Sequence, residues 1–373
     1  MRDPRNARLA HVIVHHSTAL QPGESVMIEA FDVADGLLLD LVDEVHRVGA
    51  LPVVVLRDQS VQRQLVRAGG EAQFRLQAEI DLFAMRKMQA YVGIRGARNT
   101  SELSDLSSET LSRYTKLVSH PLVDQRVNHT RWVVLRYPTP SMAQLASMST
   151  EQFEDFFYRV CTLDYGRMAE ALAPLAERMR ATDRVRLTGP GTDLRFRIGG
   201  IGVVPCEGRR NLPDGECYTA PVRDSVEGTI AFNTPSLYLG TTYTGLRFTF
   251  EGGRIVAAEG EPRDRLEALL DTDEGARHIG EFSLGVHPFV LHPMMDTLFD
   301  EKITGSLHFT PGQAYAAADN GNRSQIHWDL VLIQRPEYGG GDVWFDDECV
   351  RRDGRFVVPE LEGLNPERLG APA

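Results

Sequence analysis

The chain has 373 residues, 42% of them hydrophobic and 25% charged. This is an ordinary globular composition, so a disordered chain is excluded, and the length predicts about two domains. Lys and Arg number 40 against 52 Asp and Glu, a formal net charge of −12, which argues against nucleic acid or an anionic membrane as a partner.

The N-terminal stretch MRDPRNARLAHVIV lacks a long apolar core, so no secretory signal is expected there. Gln21-Pro22-Gly23-Glu24 is a turn, and Ser25 to Ala30 reads as a strand. Leu38, Leu41, Val42, Val45 and Val48 recur at helical spacing up to Gly49. Pro52 to Leu56 then reads as a buried strand. The most apolar stretch, residues 36–56, is broken by Asp40, Asp43, Glu44, His46 and Arg47, whereas a membrane span needs about 20 apolar residues. Strand, helix and strand at this spacing predict a βαβ unit with a parallel pair. Tyr91 to Ile94 and Trp132 to Leu135 look like further strands of that sheet. A long helical stretch follows, capped by Ser149 with Gln152 as its partner. Its apolar stripe, Phe153, Phe156, Phe157 and Val160, continues through Met168, Leu172, Leu175 and Met179. The pattern stops near Thr182, which places a domain boundary there.

Beyond it the texture turns to β, with short runs at 184–187, 194–198, 229–232, 246–251 and 254–258. Glu251-Gly252-Gly253-Arg254 is a hairpin turn, and Pro262 to Leu270 is a helix. The expected organisation is an α/β domain with a mainly parallel sheet over residues 1–182. A β-rich α+β domain follows over residues 183–373. Cys161, Cys206, Cys217 and Cys349 show no CxxC spacing, so they read as reduced thiols of a cytoplasmic protein.

The most informative segment is Ser324 to Val331, read as a strand. Ile326, Trp328 and Leu330 fall on one face, and Gln325, His327 and Asp329 on the other. An imidazole and a carboxylate side by side suit a metal ion with N/O ligands. A polar face whose His and Asp hydrogen-bond each other fits equally well. His308 lies opposite Leu307 and Phe309 on a second strand; Glu301, Lys302 and Tyr315 lie nearby in sequence. Glu216 follows the tight turn Asn211 to Gly215. Glu281 sits between apolar neighbours, where a carboxylate is costly unless paired or metal-bound. His15, His16, His278, His287 and His292 are rival ligands. No HExxH, GxSxG or phosphate-loop motif is present.

In order along the chain, several blocks resemble the aminopeptidase T family of metallopeptidases, the thermophilic aminopeptidases of the T, S and II types. They are Thr130 to Ala146, Gly191 to Phe196, Asn211 to Pro221, Ser225 to Gly228, Ile279 to Gly285, Leu298 to Ile303 and Ile326 to Asp329. The resemblance implies an aminopeptidase acting on peptides, a homodimer, and two divalent ions (zinc, cobalt, manganese or magnesium) in the C-terminal domain. It implies Glu216, Glu281, His308, His327 and Asp329 as ligands, Tyr315 as the active-site tyrosine and a catalytic place for Glu301. His287 stands where that family usually has Asn, which implies a substrate or metal contact. A related branch, the 2,5-dihydroxypyridine dioxygenases with one iron(II), resembles the chain in overall pattern. That branch has His at the position matching Glu281, so Glu there favours the hydrolase. A non-catalytic binding protein on the same fold is a third possibility, set against the presence of all five ligand candidates.

Overall fold

The computed structural model describes residues 3–33 and 35–371. They form two compact units. The first ends at Thr162 and includes Gly208–Leu212; the second comprises Leu163–Glu207 and the chain from Pro213 onward.

The first unit is built on a five-stranded parallel sheet. Its order is Leu51–Arg57, Ser25–Phe31, Ala90–Arg95, Arg131–Arg136 and Asn211–Leu212. The expected βαβ unit is present, its helix spanning Asp35–Arg47, and Gly49 takes the positive φ of 77° that lets the chain turn back. Val26, Ile28, Ala90, Val92 and Ile94 are buried in the sheet centre. Glu29 is buried there too. Tyr91 donates to its Oε2 at 2.5 Å, and Arg57 and Arg126 donate to its two oxygens at 2.9 and 3.0 Å. Burial pushes this carboxyl up, but Arg126 and Arg95 beside it outweigh that and hold it below its ordinary value.

The strand Leu51–Arg57 corrects the sequence reading. It lies at the sheet edge and is not buried; Leu56 is 69% exposed. A continuous apolar run marks a strand but does not say which neighbours cover it. The helical stretch after Ser149 also differs. It is two helices, Thr150–Cys161 and Tyr165–Ala181. The first carries the expected capping box of Ser149 and Gln152, and Asp164 caps the second by accepting from the Arg167 amide. The break falls between the units, so Tyr165–Ala181 belongs to the second unit although it precedes residue 182.

The second unit holds two antiparallel sheets. The larger has nine strands and contains the hairpin Thr241–Glu251 with Arg254–Glu261. At its turn Gly252 and Gly253 both have positive φ, 54° and 79°, as the twist of a two-residue hairpin demands. The smaller sheet carries Glu216, Glu281 and His308. Its order is Leu330–Ile333, Ser306–Pro311, Ile279–Gly285, Glu216–Thr219 and Val204–Cys206. Alternation sends Phe282 and Phe309 to one face, where their rings meet Phe196 at 5.0 and 5.2 Å. Edge-to-face and tilted contacts of this kind each add about 0.5–1.5 kcal/mol beyond burial. The same alternation leaves Glu281, Ser283 and His308 for the opposite face.

Candidate metal centre

Register brings the polar residues together. Ser283 pairs with His308 on one side and Tyr218 on the other, and Gly285 pairs with Glu216. Residues 281, 283, 285, 308 and 216 therefore share one face. Glu216 is delivered to it by Gly215, whose φ of 137° suits a residue without a side chain. A Cβ on Gly215 would meet His287 Cβ at 3.1 Å.

Glu216, Glu281 and His308 are all buried. Ser283 Oγ donates to Glu216 Oε2 at 2.9 Å, and His308 Nε2 lies 2.8 Å from Glu281 Oε1. The other oxygen of Glu281, Oε2, lies 3.6 Å from His327 Nε2, which is 3.2 Å from Asp329 Oδ1. Thr310 donates to Asp329 at 2.8 Å. Two groups of closely spaced ligand atoms result, Glu216–Glu281–His308 and Glu281–His327–Asp329, and they share Glu281. Glu301, His308 and Asp329 form a third group overlapping both.

The segment of His327 and Asp329 is extended but is not the expected strand. The strand begins only at Leu330, and His327 makes a single bridge to Gly312. The two faces nevertheless separate as read: Ile326, Trp328 and Leu330 are buried, and Trp328 packs on Tyr238 and Tyr243 at 5.6 and 4.8 Å. The Gln313 carbonyl lies 2.8 Å from His327 Nδ1 and fixes the ring.

Lys302 is the residue the sequence did not single out for a role. It is 0% exposed, its ammonium donates to Glu216 Oε1 at 2.7 Å and to Glu301, and it lies 3.8 Å from Asp214. A lysine this deep follows only from the fold. Even with Lys302, the carboxylates of Asp214, Glu216, Glu281, Glu301 and Asp329 outnumber the fixed cations.

That excess sets the electrostatics. Burial pulls His308 down, but Glu216 and Glu281 outweigh it and push it up to about 10. Burial likewise opposes the charge on His327, and Asp329 beside it raises it to about 10. Burial would raise Asp329, yet His327 holds it below the usual carboxylate range. Burial raises Glu281 and lifts Glu301 to about 8 against the pull of Lys302. The acidic groups of the site thus already hold cations, the two imidazoles and the Lys302 ammonium, in positions suited to positive charge. Glu281 Oε2 and His308 Nδ1 are buried with no hydrogen-bond partner. Buried polar atoms without partners are rare, and both belong to the shared ligand groups. The residues therefore fit divalent metal with N/O ligands.

Tyr315 is 48% exposed, with its ring 4.5 Å from that of His327. His287 is buried, accepts from the Phe289 amide at 3.2 Å, and is in none of the ligand groups found among the described residues. Its backbone amide donates to the Lys302 carbonyl at 3.0 Å, so it buttresses the Glu301–Lys302 turn.

The sequence matches the family described as thermophilic metalloprotease (M29) over residues 2–356. The chain belongs to that family. The aminopeptidase T of Thermus aquaticus is 36% identical over 170 residues, a stretch covering 39% of this chain and 41% of that protein. Wild-type AmpT from Thermus thermophilus has the same fold: the TM-score is 0.79 at 24% identity, over 95% of this chain and 99% of that one. The 2,5-dihydroxypyridine dioxygenase of Pseudomonas putida KT2440 is more distant, with a TM-score of 0.60 at 14% identity over 96% and 98%. The family and the α/β fold read from the sequence both stand, and so does the hydrolase class, since the family is one of metalloproteases. No helix among the described residues is long and apolar enough to cross a membrane.

Proposed function

We propose that the chain is a metal-dependent aminopeptidase with a dinuclear centre, one ion held by Glu216, Glu281 and His308 and the other by Glu281, His327 and Asp329. The observation that carries this reading is the position of Glu281. Its Oε1 faces His308 and its Oε2 faces His327, so one carboxylate addresses both ligand groups. A mononuclear iron site of the dioxygenase kind needs two His and one carboxylate, fewer than the two histidines and three carboxylates that converge here.

Zinc, cobalt, manganese or magnesium bound there would supply a water of lowered pKa and a Lewis acid for the scissile carbonyl. The protein's own groups do the rest. Glu301, buried beside His308 and Asp329, takes up and returns a proton. The Tyr315 hydroxyl donates to the oxygen on which negative charge develops.

The metal-loaded chain is expected to release N-terminal residues from aminoacyl amides and to leave N-acetylated analogues intact. Cleavage of both alike would reject an aminopeptidase. Tyr315→Phe is expected to lower kcat about 10²- to 10³-fold, by analogy with loss of one oxyanion donor, with metal content and KM little changed. A variant at wild-type kcat removes Tyr315 from the chemistry. A cytoplasmic homodimer completes the reading. The free thiols support a reducing compartment, and the exposed apolar edge strand Leu51–Arg57 supports self-association. A monomer mass in light scattering would reject the dimer.

A further inference from the structure

The first unit holds a second convergence of ligand atoms, remote in sequence from the residues above. His11 ends the helix Pro4–His11, and His15 lies in the π-helical turn Val12–Ser17 that continues it. Such turns are rare and are frequent at functional sites. Here the turn keeps the two imidazoles together, with ring centroids 4.2 Å apart. Glu44 comes from the helix Asp35–Arg47 and is buried, its side chain 5% exposed. His15 Nε2 lies 2.6 Å from Glu44 Oε1, and His11 Nδ1 lies 3.4 Å from the same oxygen. One ligand atom from each of the three lies within 4.8 Å of the others.

We propose that His11, His15 and Glu44 bind a divalent transition-metal ion of the zinc type. Two imidazole nitrogens and one carboxylate oxygen are a zinc donor set. The side chains of His11 and His15 are 65% and 40% exposed, so the remaining coordination positions face water and the ion has an entry path. Arg47 pairs with the other oxygen of Glu44, Oε2. Glu44 therefore already has its counter-charge, and the imidazoles converging on Oε1 are not needed to neutralise it. With the ion bound, Arg47 orients the carboxylate from behind, as outer partners of metal ligands do. The site joins the first helix of the unit to the helix Asp35–Arg47, which makes it a structural cross-link and not a part of the catalytic centre.

The test is acylation of histidines by diethyl pyrocarbonate in the full chain with its Glu281 centre loaded, mapped by peptide mass spectrometry. At zinc about ten times the dissociation constant, modification of His11 and His15 is expected to slow about tenfold, in proportion to occupancy. The exposed His46 and His129 should react at unchanged rates. Glu44→Gln is expected to abolish the protection, and the double variant His11→Ala, His15→Ala should bind one zinc fewer in equilibrium dialysis. Equal modification with and without zinc would overturn the site, and so would protection that persists in Glu44→Gln.

Discussion

Replacing Glu281 by Ala is expected to empty both ligand groups at once. Each oxygen of Glu281 faces a different histidine, so no other single residue is common to the two proposed ions. Activity on aminoacyl amides should fall by at least about 10³-fold, which corresponds to about 4 kcal/mol of transition-state stabilisation. The metal-free fold should persist, because His308 keeps the Glu216 carboxylate 3.5 Å from its Nδ1 when the contact to Glu281 is lost. Glu216→Ala touches one group only and should leave about one ion per chain. Elemental analysis beside circular dichroism reads both outcomes. Two ions retained in a folded Glu281→Ala variant would show that Glu281 is not the shared ligand.

The second large effect concerns stability. Lys302 is fully buried among Glu216, Glu301 and Asp214. Lys302→Met keeps much of the side-chain volume and removes the charge, leaving the carboxylates unmatched. Breaking a buried ion network by removing one partner costs about 3–5 kcal/mol. At about 2–4 °C per kcal/mol for a unit of this size, Tm should fall by about 6–20 °C in the metal-free chain. The pH dependence has a definite sign. Burial already lifts the carboxyl of Glu301 to about 8. Without Lys302 its ionised form loses its cation, so it opposes folding more strongly at pH above its unfolded value and ceases to do so once protonated. The deficit of the variant should therefore shrink as pH falls towards about 4–5. A variant as stable as the wild type at neutral pH would mean that Glu216 and Glu301 need no buried cation.

Much of this architecture is legible in the residues themselves. The parallel sheet follows from apolar strands alternating with a capped, periodic helix, and the capping box of Ser149 and Gln152 forms as written. Period-two alternation around His308 and around His327 places the right side chains on the right face, even where the backbone near His327 is extended without pairing. Other features depend on partners distant in sequence. The exposure of Leu51–Arg57 depends on whether another strand lies beside it, which local pattern does not encode. The helix break at 162–164 is hidden because the apolar stripe runs on across it. Nothing local marks Lys302 as buried, and its ammonium meets Glu216, 86 residues away in sequence, only through the fold. The His11–His15–Glu44 group joins residues 29 apart in sequence between His15 and Glu44, so the histidines alone gave no ligand set.

The most direct test of the dinuclear centre is a crystal structure of the zinc-loaded protein with anomalous scattering recorded across the zinc edge. Two anomalous peaks are expected on the face of the strand Ile279–Gly285, one against Glu216 and His308, the other against His327 and Asp329, with Glu281 touching both. A single peak bound by His327, Asp329 and one further residue, with Glu216 left on Lys302 alone, would contradict a dinuclear centre.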